Sequence, residues 1–263
     1  MSTDYYAPLY WFFTGSKSGV QELFCDLIRK ALKYKYRNYK NLLIPVPQNS
    51  FISNPVFEFG QKDKINLIGN HVVDGKKIRE IYISTIFAGF LNGIDSFRNW
   101  PIKNKRACLA YVETENTEAD TYILLSSNFE IRRGQKMYFL PDSMLLSLQV
   151  KECINNEDLY SNISLPYEFE ISESKIRKYA YYDNFILIYL RGFFQVDTDK
   201  IRETLKANKL EDKNIFLIGM VWDEKIPQAY NFNIFDLKND ELHTVSFKLC
   251  KLFKTMSLSK IKN

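Results

Sequence analysis

Arg29, Lys30, Lys33, Lys35, Arg37 and Lys40 stand in one short run, with Tyr34, Tyr36 and Tyr39 between them and no acid among them. Cations neutralise phosphate charge, and tyrosine rings offer stacking faces to unpaired bases. The pattern predicts a nucleic-acid contact, DNA or RNA alike, running off the end of a helix. A solvated helix end in a Lys- and Tyr-rich composition is the competing reading, since Lys, Asn, Tyr, Phe and Ile also rise together in AT-rich coding DNA. Smaller basic groups occur at Lys103, Lys105 and Arg106, at Arg132, Arg133 and Lys136, and at Lys175, Arg177 and Lys178. Just upstream of the main cluster lies the loop Gly15-Ser16-Lys17-Ser18-Gly19, between an expected strand and an expected helix. Free N–H groups and the helix dipole favour an anion there, so Ser16, Lys17 and Ser18 are candidate phosphate contacts. The loop matches neither GxxxxGK[ST] nor GxGxxG.

Other chemistries find less material. The chain has only 2 His, His71 and His243, so a His-rich metal site is excluded. Cys25, Cys108, Cys153 and Cys250 match no CxxC spacing and sit among apolar neighbours, which predicts buried thiols in a reducing compartment. Glu168, Glu170, Glu173 and Lys175, followed by Asp183, supply a Glu-x-Lys triplet of the kind a metal-dependent nuclease uses. Alternating acids on a strand are equally a solvated face. Tyr82-Ile83-Ser84-Thr85, with Glu113-Thr114-Glu115 further along, resembles the Ser-Thr-Ser and ExE elements of arginine-type ADP-ribosyltransferases. The resemblance implies that Glu115 would stabilise an oxocarbenium-like ribosyl transition state. Ile86 stands where that family has its second Ser, and its strand-borne Arg-Gly is missing upstream. The polar tip of a hairpin is the simpler account of Glu113, Glu115 and Glu118. No residue is assigned a catalytic role, and no cofactor or metal ligand set is indicated.

The elements that would position these residues follow from periodicity. Residues 8–14 read as a buried strand. Val20, Leu23, Phe24, Leu27, Ile28, Ala31 and Leu32 recur at three and four residues, predicting an amphipathic helix over 19–36 with Ser18 and Gln21 as a capping box. Asp74-Gly75 between Ile65–Val73 and Lys76–Ser84 predicts a hairpin turn. A helix is expected near 86–98. Strands are expected at 107–112, 121–125, 136–140 and 145–150. The polar stretch 151–164 is the candidate linker. Phe185–Phe194, a helix over 198–209 capped by Asp197 or Thr198, and Asn214–Val221 form a predicted βαβ unit. Tyr230–Leu237 alternates as a further strand. Val245, Leu249, Leu252, Phe253 and Met256 predict a terminal helix.

The whole is expected to be α+β (mixed α/β). Residues 1–150 would form a β-rich part with the basic first helix, and 165–263 a βαβ-containing part, the two being separate or one continuous domain. A chain of 263 residues, 46% hydrophobic and 25% charged, is ordinary for a globular protein, which excludes a disordered or collagen-like chain. No stretch approaches the ~18–20 apolar residues of a membrane span, and Met1–Tyr10 lacks a signal-peptide pattern. A net charge of +5 permits an anionic partner without demanding one. The expectation is a cytoplasmic, non-catalytic nucleic-acid-contacting component of an assembly, with other protein subunits as further partners and no membrane. The alternatives are an enzyme on a phosphate-bearing substrate and a purely structural or protein-interaction subunit.

Overall fold

The computed structural model describes residues 9–12, 23, 27, 64–68, 71–93, 106–112, 119–126, 144–154, 167–191, 194–221 and 229–248. One mixed eight-stranded sheet organises them, in the order β1-β4-β5-β6-β8-β10-β11-β12. Its strands are β1 (Leu9–Phe12), β4 (Arg106–Val112), β5 (Thr121–Ser126), β6 (Met144–Ile154), β8 (Phe185–Arg191), β10 (Ile215–Val221), β11 (Ala229–Asp236) and β12 (Glu241–Lys248). The neighbours β6 and β8, and β8 and β10, run parallel; the remaining neighbours are antiparallel. Two small ladders stand apart: β2 (Lys64–Ile68) with β3 (His71–Asp74), and β7 (Tyr167–Glu168) with β9 (Phe194–Gln195). The helices with bounds among the described residues are α1 (Gly75–Gly93), α2 (Glu173–Tyr181) and α3 (Thr198–Ala207).

The central strands are apolar on both faces because both faces are covered. Along β8, Leu187 and Tyr189 point into one core while Ile186, Ile188 and Leu190 point into the other. Along β10, Phe216, Ile218 and Met220 join the first core and Ile215 and Leu217 the second. The first core is completed by α1. The second is completed by Ile176 and Tyr179 of α2 and by Ile201 and Leu205 of α3. The arrangement is therefore helix, sheet, helix in layers, an α+β fold with the parallel strands at its centre.

The βαβ unit stands as β8–α3–β10, with its two strands parallel. Asp197 caps α3, its Oδ1 accepting from Lys200 N at 3.0 Å. Asp197→Ala is expected to cost about 1 kcal/mol, read as a lower urea midpoint with unchanged slope. The chain leaves α3 through Lys209 in the left-handed region (φ 58).

Four expectations are corrected. Asp74-Gly75 is not a hairpin turn; it leads from β3 directly into α1, so Lys76–Ser84 is helix and not strand. The alternation Ile81-Tyr82-Ile83 imitates a strand because α1 is buried on nearly every face, from Ile78 through Leu91, and a helix buried all round shows no polar stripe. The helix expected near 86–98 is the second half of α1, which ends at Gly93. The candidate linker starts too early, because Lys151–Ile154 continue β6 and pair with Ile188–Arg191. Residues 241–248, which include the first residue of the expected terminal helix, form β12. There Val245 and Phe247, two apart, face the core as strand geometry requires. Residues 249–263 and the strand expected at 136–140 lie outside the described residues.

Candidate nucleic-acid interface

The residues Arg29 to Lys40 and the loop residues Ser16, Lys17 and Ser18 lie outside the described residues. Of the segment before them, Leu23 and Leu27 are described, and both are helical. Leu27 is buried in the first core and Leu23 packs against it. One turn apart, they are two members of the predicted apolar stripe. Lys103, Lys105, Arg132, Arg133 and Lys136 are also outside the described residues, while Arg106 opens β4.

The remaining basic group is fully placed. Lys175, Arg177 and Lys178 lie on α2, a helix the periodicity analysis did not anticipate. Its inward face is made by Ile176 and Tyr179. Its outward face presents Arg177, Lys178 and Tyr181, the last 87% exposed. Lys178 and Tyr181 are three residues apart and so share one side of the helix. Arg177 has Glu173 at 3.8 Å, but both side chains are open to water and the pair is weakly held. Lys178 has no acid or hydrogen-bond partner among the described residues. The outward face of α2 thus offers cation, cation and ring to solvent.

Elsewhere on this side of the sheet Lys200, Arg202 and Lys213 each have an acid beside them. Lys200 Nζ sits 2.6 Å from Glu170 Oε1 and 2.9 Å from Glu168 Oε1. The two carboxylates hold the Lys200 ammonium well above its usual range. Arg202 is 2.7 Å from Asp240, and Lys213 is 3.5 Å from Asp183. The contrast with Lys178 is one of context: α2 carries one acid, Glu173, at its first turn.

The nuclease-type constellation is not assembled. Glu168 and Glu170 share Lys200, and Lys175 points instead at Cys153. Among the described residues, no group of three or more His, Cys, Asp or Glu could hold a metal ion. The ADP-ribosyltransferase-like element is corrected as well. Ser84 and Thr85 lie within α1, not on a strand, and both are fully buried. Ser84 Oγ and Thr121 Oγ1 share a hydrogen bond of 2.6 Å, and Thr85 Oγ1 donates to Ile81 O at 2.7 Å. Ser84 thus ties the helix to the sheet, while Thr85 bonds within its own helix. Glu113, Glu115 and Glu118 lie outside the described residues. His243 lies in β12 and not in a polar turn; its ring is 5.1 Å from that of Phe90.

A buried charged cluster had no counterpart in the sequence reading. Glu80, on α1, is 6% exposed. Burial raises its carboxyl above the usual carboxylate range, opposed by the Lys77 ammonium. Lys77 Nζ lies 2.7 Å from Glu80 Oε2, which receives no hydrogen bond of good angle, so the compensation is mainly one of charge. The same ammonium donates to Asp120 O at 2.7 Å. Asp120 Oδ2 accepts from Val150 N at 2.7 Å and has Lys151 Nζ at 3.6 Å. Arg79 and Arg191 flank Glu152 at 3.4 and 3.3 Å. These contacts tie α1 to the start of β5 and to β6 and β8, each carboxylate having a cation beside it. The one local hint was Lys77 and Glu80 at helical spacing.

Among the described residues, no helix is long and apolar enough to cross a membrane. No protein-family model matches the chain, and neither does any curated protein or solved structure.

Proposed function

We propose that the chain is a cytoplasmic, non-catalytic protein that contacts nucleic acid, working as one component of an assembly with other protein subunits. The observation that carries this reading is the outward face of α2, where Lys178 and the 87% exposed Tyr181 stand side by side beside Arg177. The run Arg29 to Lys40 repeats that interleaving of cations and tyrosines on a larger scale, and the net charge of +5 agrees with it. Such a surface gains affinity from phosphate contacts and from base stacking, neither of which reads sequence. Discrimination between sequences is therefore weak.

Charge reversal at Lys33, Lys35 and Arg37 together is expected to abolish binding of a labelled single-stranded oligonucleotide without unfolding the chain. The salt slope of log K should fall by roughly 2, the share of three phosphate contacts on a single strand. Tyr181→Ala should weaken binding by about 1–3 kcal/mol, the range for one stacked base. Binding that survives the triple change refutes the site on 29–40, and binding indifferent to Tyr181→Ala removes α2 from the interface.

A further inference from the structure

Asp120, just before β5, stands between two ammonium groups, each shared with a second oxygen. On one side Lys151 Nζ lies 3.6 Å from Asp120 Oδ2 and donates to Gln149 Oε1 at 3.0 Å. On the other, Lys77 Nζ donates to Asp120 O and lies against Glu80 Oε2, both at 2.7 Å. The sheet register makes the grouping. Thr121 pairs with Leu148 and Asp120 N donates to Leu148 O at 2.9 Å, so Asp120 stands opposite Gln149. Gln149 and Lys151, two apart on β6, share a face. Helix α1 is pinned beside them, because Ser84, one turn beyond Glu80, bonds to Thr121. Two carboxylates, an amide oxygen and a lysine thus meet from three elements distant in sequence. Glu168, Glu170 and Lys175 do not assemble such a set. Two of the oxygens are short of partners. Asp120 Oδ1 accepts no hydrogen bond among the described residues, since Val150 N bonds to Oδ2. Glu80 is 6% exposed, and its Oε2 receives no hydrogen bond of good angle. Hard divalent cations take oxygen ligands of this kind.

We propose that Asp120, Glu80 and Gln149 form a site for a divalent cation of the Mg2+ class, and that this cation, with Lys151 beside it, takes a phosphate oxygen of nucleic acid. Mg2+ is commonly held by one or two carboxylates and a substrate phosphate and keeps several waters. Two carboxylates and an amide therefore suffice, although the cluster is not a group of three acids. Lys151 supplies a second positive charge to the same phosphate as a point charge. The phosphate half rests on the nucleic-acid reading above; the cation half does not. A cation beside a lysine also suits phosphodiester hydrolysis, in which the metal activates water, so strand cleavage is followed in the test.

The test titrates the full chain with Mn2+ and reads the free ion by electron paramagnetic resonance. The wild type should bind Mn2+. Asp120→Asn should weaken that binding by about tenfold or more, at least the cost of losing an outer-shell partner. Gln149→Glu adds a third carboxylate and should tighten it by about tenfold. Thermal melts check the first variant, and the gain in the second cannot come from misfolding. Fluorescence anisotropy with a labelled single-stranded oligonucleotide is then compared in EDTA and in Mg2+ at equal ionic strength. Mg2+ should tighten binding by the wild type, but not by Asp120→Asn or Lys151→Met. Absence of Mn2+ binding, or Mn2+ affinity unchanged in both Asp120→Asn and Gln149→Glu, overturns the cation site, whatever the oligonucleotide does in EDTA. Mn2+ binding at the site with no response of the oligonucleotide to Mg2+ overturns the phosphate half. Cleavage that needs Mg2+ and is lost in Asp120→Asn supports the site and replaces the non-catalytic part of the reading above.

Discussion

Phe87→Ala is expected to lower the unfolding free energy by about 4 kcal/mol, within the range for removing a buried aromatic ring. Phe87 is fully buried at the centre of α1. Its ring lies 4.8 Å from that of Phe216 on β10 and 5.4 Å from that of Phe90 on its own helix. Phe216 in turn stacks on Phe185 of β8, so the ring group joins α1 to both strands of the parallel pair β8/β10. The space left behind cannot collapse easily, because its walls belong to a helix and a sheet that are each fixed by many other contacts. Domains of this kind have about 5–15 kcal/mol in total, so the variant should approach the limit of folding at ambient temperature. Urea unfolding would read the effect as a midpoint shift with unchanged slope. A loss under about 1 kcal/mol would mean that α1 does not cover this face of the sheet.

The second large effect is expected at Lys77. Lys77→Met leaves Glu80 buried without its nearest cation and Asp120 O without its donor. Removing one partner of a buried ion pair costs about 3 kcal/mol or more at neutral pH. The cost should depend on pH in a defined direction. Burial raises the Glu80 carboxyl in the folded chain, so the folded chain holds that proton to higher pH than the unfolded chain does. The stability linked to it is full below the unfolded pKa and falls as pH rises through the folded one. Lys77 opposes that shift, so its removal enlarges the fall. The variant should therefore be closer to wild type at about pH 5 than at neutral pH, while Glu80→Gln should flatten the difference. Equal destabilisation at both pH values would contradict the role given to Glu80.

Legibility in the sequence followed local context. The unit β8–α3–β10 was readable because an amphipathic helix alternates there with two strongly apolar strands, and Asp197 stands at the cap. The first half of helix α1 was not, because a helix covered on all sides carries no polar stripe. In β12 the spacing of two between Val245 and Phe247 competed with a spacing of three and four that runs on to Leu249 and Leu252, and pairing with β11 decided it. The polar residues that end β6 looked like a linker because their partners are distant in sequence. Glu152 is acceptable inside the sheet only with Arg79 and Arg191 beside it. At the candidate interface the charges on α2 were legible, but the helix phase was not. That phase buries Tyr179 and leaves Tyr181 in water.

The most direct measurement is fluorescence anisotropy of the whole chain with labelled single- and double-stranded oligonucleotides across a salt series. The account predicts binding at low salt that weakens steeply and linearly in log salt, little preference among sequences, and a loss on reversing Lys33, Lys35 and Arg37. Absence of binding at low salt, or affinity indifferent to salt, would contradict it and leave the tyrosines and cations of α2 and of residues 29–40 as a surface for protein partners.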